Sequence, residues 1–184
     1  VIVALTTAVE PLPIGIEERL ERFTELVATA IANTQARDDV RRLAEEQAAL
    51  RRVATLVAEG AGSPAVYDAI CRETGPVVGA TSVNLCHFTA DRFNLTMAGW
   101  SIHDTHVPTG TRLPLEGSTI NELVYATGAP ARVESYLDAE GALADLIRKR
   151  GIKSEVAAPV IVDGRLWGCL IAGWDTEEPP DGGA

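Results

Sequence analysis

An α+β fold, an antiparallel sheet flanked by helices and preceded by one long helix, is predicted by three observations. The stretch from Glu17 to about Glu59 holds neither proline nor glycine, and its apolar residues recur every three or four positions, the period of an amphipathic helix. Past Gly60 and Gly62, apolar runs of strand length alternate with shorter helical patterns. Near the end, Asp163-Gly164 separates two apolar runs, and a two-residue Asp-Gly connection is the strongest short-range sign of a β-hairpin.

Val1 to Val9 reads as a strand whose beginning has been cut away. It lacks the initiator Met and basic start of a secretory signal and leads into a charged helix. The long helix carries two stripes: Leu20, Phe23, Val27 and Ile31, then Val40, Leu43, Leu50, Ala54 and Val57. The second follows the spacing of a coiled-coil seam with Gln47 at one inward position. The stripes do not share a seven-residue phase, so the packing partner is expected to change near Thr34 to Ala36. Between Ile16 and Arg52 eight acidic and seven basic residues nearly cancel. Such a helix would extend about 65 Å, more than a small domain covers, so pairing with a second copy of the chain is expected.

Ser63-Pro64 opens a short helix as N-cap and first-turn proline, with Val66, Ile70, Cys71 and Val77 inward and an end at Gly79. Two strands follow, Ser82 to Phe88 and Asn94 to Ser101, turning around Asp91. Thr119 and Glu122 have capping-box spacing for a helix that stops at Gly128. Ala131 to Glu134 reads as a strand. Asp138 to Arg150 reads as a helix stopped by Gly151, its last turn basic as the helix dipole favours. Glu155 to Val162 and Arg165 to Gly173 form the closing hairpin. The tail from Glu177 has no core-forming residue and is expected to fray. Shifted by 168 positions the chain matches itself at Ala4 on Ala172, Glu10 on Glu178 and Pro11 on Pro179. Both segments end a strand and enter an acidic, proline-bearing turn, as the last strands of two related domains would.

Composition excludes other classes. Sixteen basic residues against 26 acidic give a net charge of −10, without the basic clusters that bind phosphate backbones or acidic membrane surfaces. No stretch reaches the ~20 apolar residues of a transmembrane helix. Cys71, Cys86 and Cys169 are odd in number and widely spaced. They read as buried, reduced thiols of a cytoplasmic protein, with a redox role as the alternative.

The element order, together with Gly79-Ala80-Thr81-Ser82-Val83, Leu115-Glu116-Gly117-Ser118 and the run from Gly151 to Leu170, resembles a GAF domain, in particular those of bacterial, actinobacterial-like sensor histidine kinases with tandem GAF modules. Phe23 to Val53 resembles the helix connecting two such modules. The resemblance implies a GAF-like six-stranded antiparallel sheet with connector helices on one face and a ligand pocket under the other. It divides the chain into residues 1–15, the remnant of a preceding domain's last strand and turn; 16–59, a connector and dimerisation helix; 60–176, the GAF domain; and 177–184, a disordered tail.

It also implies a non-catalytic sensor of signal transduction. Such a module binds a small molecule or relays conformational change through a dimeric helix to a kinase or other output domain of a two-component system. No phosphate-binding motif or kinase signature occurs in the sequence. No catalytic residue, metal site or cofactor is expected. By resemblance and position, Trp100, Thr119, Leu123, Tyr136 and Val156 are expected to line the pocket.

Two alternatives come from other classes. Some GAF domains hold haem through one histidine, which would make this a redox or gas sensor. His87, however, is in strand phase with Val83 and Leu85, opposite Cys86 and Phe88. His103 and His106 flank Asp104 in a polar loop with no fourth metal ligand in view. One GAF branch reduces methionine sulfoxide with cysteines, but its glycine-rich cysteine motifs are missing, and Cys86 and Cys169 read as separate strand positions. The cyclic-nucleotide signature of phosphodiesterase GAF domains is also absent.

Overall fold

The computed structural model of the chain describes Val3 and residues 14–176. The strand expected at Val1 to Val9 and the tail from 177 lie outside the described residues, apart from Val3, which has no regular structure. The chain divides into one unit ending at Glu45 and a second from Glu46 onward.

Helix α1 (Ile16–Ala58) runs unbroken for 43 residues with Glu17 and Glu18 in its first turn, where acidic side chains complement the dipole. In its portion belonging to the second unit, Ala49 is buried and Ala48, Val53 and Leu56 are half-buried. The stripe expected to pair is bare: Leu43, Leu50 and Val57 are 58%, 59% and 58% exposed.

Helix α2 (Ser63–Val78) is capped by Gly62 without a side-chain bond, so Ser63 lies inside the helix instead of capping it. Gly79, at φ 64°, closes its end by donating to Pro76 O and lying one residue past Val78, a left-handed position that glycine takes without steric cost. Inside α2, Gly75 makes room for an aromatic ring, since a Cβ there would meet Trp100 Cζ3 at 2.0 Å.

Six strands form one antiparallel sheet in the order β3-β2-β1-β6-β5-β4. They are β1 (Ser82–Phe88), β2 (Phe93–Ser101), β3 (Arg112–Pro114), β4 (Ala131–Val133), β5 (Ser154–Val162) and β6 (Arg165–Trp174). Central β1 is buried along almost its whole length, because both faces of the sheet are covered. Val83, Leu85, Ala98 and Trp174 pack with Cys71 on the α2 face. Cys86, Phe88, Ala157, Cys169 and Ile171 pack on the other with Ile120 and Val124 of α3 (Ile120–Thr127). Pro159, which has no N–H to give a ladder, lies on β5 beyond Glu155–Ala157, the stretch paired by β4.

Two bulges interrupt the alternation. Leu85 pairs with Ala98 but Cys86 with Thr96, leaving Met97 as the extra residue. Val160 pairs with Gly168 but Ile161 with Leu166, leaving Trp167 extra. Both extra side chains join the α2 face. Trp167 packs against Tyr67 of α2, centroids 5.8 Å apart.

Two elements depart from expectation. β3 was not anticipated, its three residues being too few for a period. Helix α4 (Ala142–Lys149) starts later than Asp138. The reason is a backbone crossing: Gly141 has φ 104° and packs on Glu116 O, while a Cβ on Gly117 would meet Glu140 O at 2.1 Å.

Candidate functional site

The α3 face of the sheet carries a buried polar chain within its apolar cluster. Thr119, at φ −105° and ψ 158°, caps α3 by accepting from Glu122 N at 3.5 Å. Only half of the capping box forms, because Glu122 Oε1 instead accepts from Arg92 Nη2 at 2.9 Å. Below the cap, Ile120 N donates to Tyr136 Oη at 3.3 Å, and Tyr136 Oη donates to Glu155 Oε2 at 2.5 Å. Asn121 Nδ2 donates to Asn94 Oδ1 at 3.0 Å and reaches Cys169 Sγ at 3.9 Å. Thr96, the register partner of Cys86 across β2 and β1, has its Oγ1 buried without a hydrogen-bond partner.

Burial sets the protonation states here. The Glu155 carboxyl is pushed from 4.5 up to about 7 by desolvation, which the Tyr136 hydrogen bond only partly offsets. Tyr136 is raised by burial and by the facing carboxylate. The Cys86 thiol is lowered chiefly by a hydrogen bond from Cys169, helped by Asn94 and Thr96, while Cys169 is raised by that same bond and by burial. Cys71, on the other face, is pushed up to about 12 by burial.

Tyr136 also forms the wall of a cavity of about 300 Å³, together with Leu137, Arg148, Ile152 and Lys153. Arg148 shapes it by donating from Nη1 to Tyr136 O at 2.8 Å and Ala139 O at 2.6 Å, and by pairing with Asp145. A second, apolar groove of about 430 Å³ lies within the second unit between α1 and α2, lined by Ala49, Leu50, Val53, Ile70 and Val77. Arg52 and Glu73, 2.5 Å apart, join the same two helices.

The profile of the GAF domain family matches residues 45–180. The chain belongs to the GAF domain family. Solved structures agree on the fold. The phycocyanobilin-bound GAF domain of a cyanobacterial phytochrome superposes with a TM-score of 0.56 at 18% identity, over 70% of this chain and 79% of that one. The GAF domain of an Acinetobacter phosphoenolpyruvate-protein phosphotransferase gives 0.55 at 14% identity, over 72% and 78%. The chromophore-binding domain of a bacteriophytochrome from R. palustris gives 0.55 at 13%, over 73% of this chain and 53% of that one. No curated protein matches the sequence.

Within this GAF domain the five residues expected to line a pocket are not brought together. Tyr136 and Thr119 lie in the polar chain. Leu123, on α3, is 42% exposed. Trp100 and Val156 pack on the α2 face, because alternation along β5 turns Val156 away from the side that Glu155 faces. Trp174, buried, donates from Nε1 to Gly79 O at 2.8 Å.

His87 also faces α2, its Nδ1 2.7 Å from Trp167 O and its ring against that indole, centroids 4.6 Å apart and planes tilted by 34°. The His103–His106 loop is tied to its surroundings by Ser101 Oγ on His106 Nδ1 at 2.9 Å and by Arg150 Nη1 donating to His106 O at 2.5 Å. Among the described residues no group of three or more His, Cys, Asp or Glu gathers as a metal site, and no helix is long and apolar enough to cross a membrane.

Sequence reasoning missed Glu155, Asn94, Asn121 and the thiol pair. Cys86 and Cys169 are not separate strand positions but direct register partners across β1 and β6. The available signal was Glu155 itself, a lone carboxylate in the inward phase of a strand.

Proposed function

We propose that this GAF domain is a non-catalytic sensory module of a signal-transduction protein, binding a small molecule beside Tyr136 and relaying the event through α1 paired with a second copy. The observation that carries the reading is the double role of Tyr136. Tyr136 lines the cavity, and its hydroxyl joins the first N–H of α3 to Glu155 on β5. A ligand that displaces the ring disturbs both elements together, which is the differential contact a two-state relay requires. At about 300 Å³, the cavity stands at the small end of ligand sites. Leu137 and Ile152 offer an apolar wall while Lys153 supplies positive charge, Arg148 being paired with Asp145, the chemistry of a small carboxylate with an apolar body.

Titration calorimetry with a panel of aliphatic and aromatic carboxylates tests this. At least one binds, and Lys153→Glu weakens it. A panel without a binder, or undiminished binding to Lys153→Glu, overturns the ligand assignment.

The relay rests on the bare stripe of α1. Leu43, Leu50 and Val57 recur at seven-residue intervals and are each more than half exposed, as a coiled-coil seam requires. The apolar groove beside Leu50 widens the same surface. Leu43→Asp with Leu50→Asp should convert a dimer to a monomer in light scattering, and a variant that stays dimeric overturns the pairing.

A tandem-GAF sensor histidine kinase of the bacterial cytoplasm is the setting that the quoted sequence motifs support. The bilin of the phytochrome relatives does not fit here, because Phe88, Leu115, Ile120 and Val124 fill the space between sheet and α3. Haem does not fit either, since His87 is turned to the α2 face and engaged by Trp167.

A further inference from the structure

Cys86 and Cys169 have no part in that reading, yet their placement is specific. They oppose each other in the register of β1 and β6 and share the cluster under α3. Register partners on antiparallel strands hold their Cα atoms about 4.5–5.5 Å apart, within the ~4.4–6.8 Å that a disulfide spans. Directly opposed residues on paired strands project from the same face of the sheet, which sets the two thiols side by side. Polar groups surround the sulfurs: Asn94 and Thr96 at Cys86, and Asn121 Nδ2 at 3.9 Å from Cys169. Donors of this kind favour a thiolate, the reactive form of cysteine. Cys71 packs on the opposite face of the sheet and cannot join them.

We propose that Cys86 and Cys169 are a reversible dithiol–disulfide couple, a modification site in the centre of the sheet that a small peroxide closes and that reports to α3 through Asn121.

Hydrogen peroxide is the oxidant. The Cys86 thiolate attacks one peroxide oxygen; the O–O bond breaks, a sulfenic acid forms, and the departing hydroxide takes a proton to become water. Cys169 then attacks the Cys86 sulfur. The S–O bond breaks, the second hydroxide leaves with the Cys169 proton as water, and the S–S bond forms. Two thiols lose two electrons and one peroxide becomes two waters. Both sulfurs are buried, so peroxide enters during local openings of α3, an eight-residue helix. A thiol returns the couple to its reduced form by exchange. Closing the bridge takes the Cys169 sulfur out of its contact with Asn121 and loosens the hold of the sheet on α3.

The test uses the full chain carrying Cys71→Ser. After reduction it is treated with equimolar hydrogen peroxide, denatured in maleimide and mapped by peptide mass. The expected result is a Cys86–Cys169 cross-linked peptide, loss of maleimide label at both positions and its recovery after dithiothreitol. Amide exchange across residues 119–128 should be faster in the oxidised form, a change that a pair serving only to fill space would not produce. In Cys169→Ser the reaction should stop at a sulfenic acid on Cys86 that dimedone traps. Full maleimide labelling of both cysteines after excess peroxide overturns the proposal, as does a bridge that forms only once the chain is unfolded. A bridge that leaves the exchange of residues 119–128 unchanged overturns the link to α3.

Discussion

Replacing Glu155 by Gln removes a charge that the fold accommodates badly while keeping the shape and the acceptor for Tyr136. In the folded chain the carboxyl is raised from 4.5 to about 7 by burial. Its proton is therefore bound more tightly in the folded than in the unfolded state. The resulting stability is complete below about pH 4.5 and is lost as pH rises through about 7. At about 1.4 kcal/mol per pH unit, that interval corresponds to about 3 kcal/mol.

Urea unfolding of wild type and Glu155→Gln should therefore give equal stabilities near pH 4 and a Gln variant more stable by up to about 3 kcal/mol above about pH 8. Tyr136 and Cys169, the neighbours with raised values, keep their protons through this range. Cys86, whose value is lowered, can titrate alongside, so the comparison is repeated in a Cys86→Ser background. A difference that stays flat with pH, or a Gln variant weaker at high pH, refutes the assignment of an uncompensated buried carboxyl.

Other consequences follow from single contacts. Gly168→Ala places a Cβ 1.9 Å from Cys86 O, a backbone atom that cannot step aside, and should cost at least the ~1–3 kcal/mol of an overpacked core in chemical denaturation. Gly75→Ala drives a methyl into the Trp100 ring, with a similar loss and a shift in tryptophan fluorescence. Thr119→Ala removes the cap of α3 and should cost about 1 kcal/mol, with amide exchange rising first at residues 120–123. Trp174→Phe leaves Gly79 O without its N–H donor and should cost about 1–3 kcal/mol in thermal or urea melts.

The fold was legible wherever local chemistry and period agreed. Asp163-Gly164 placed the hairpin, Thr119 and Gly128 bracketed α3, and the unbroken periodicity from Glu17 gave α1. It was illegible where tertiary contact decided. The late start of α4 depends on Gly141 and Gly117 crossing as backbones, and β3 exists only because three residues pair with Phe93–Leu95.

The polar chain was harder to read for the same reason. Asn94 and Asn121 are 27 positions apart, and no local pattern announces that they meet. Register was the missing information for the cysteines as well. Each strand was visible alone, but only pairing β1 with β6 sets Cys86 opposite Cys169. Trp100 and Val156, expected beside Tyr136, pack on the α2 face, because which side of a strand a residue occupies is set by register and not by its position in the chain.

The two bulges have a consequence for how this protein can change over time. Strict alternation would share the side chains of a strand equally between its two sides. By handing Met97 and Trp167 to α2, the chain makes one side of the sheet a thick, greasy foundation while the other is free to carry asparagines, thiols and a carboxylate. Substitutions among the polar residues can then be sampled without dissolving the fold, because the foundation does not share atoms with them. A single-residue deletion at either bulge would end this division of labour. Removing Met97 or Trp167 would restore strict alternation and take one bulky side chain from the α2 side, and the loss would show as lower stability in chemical denaturation.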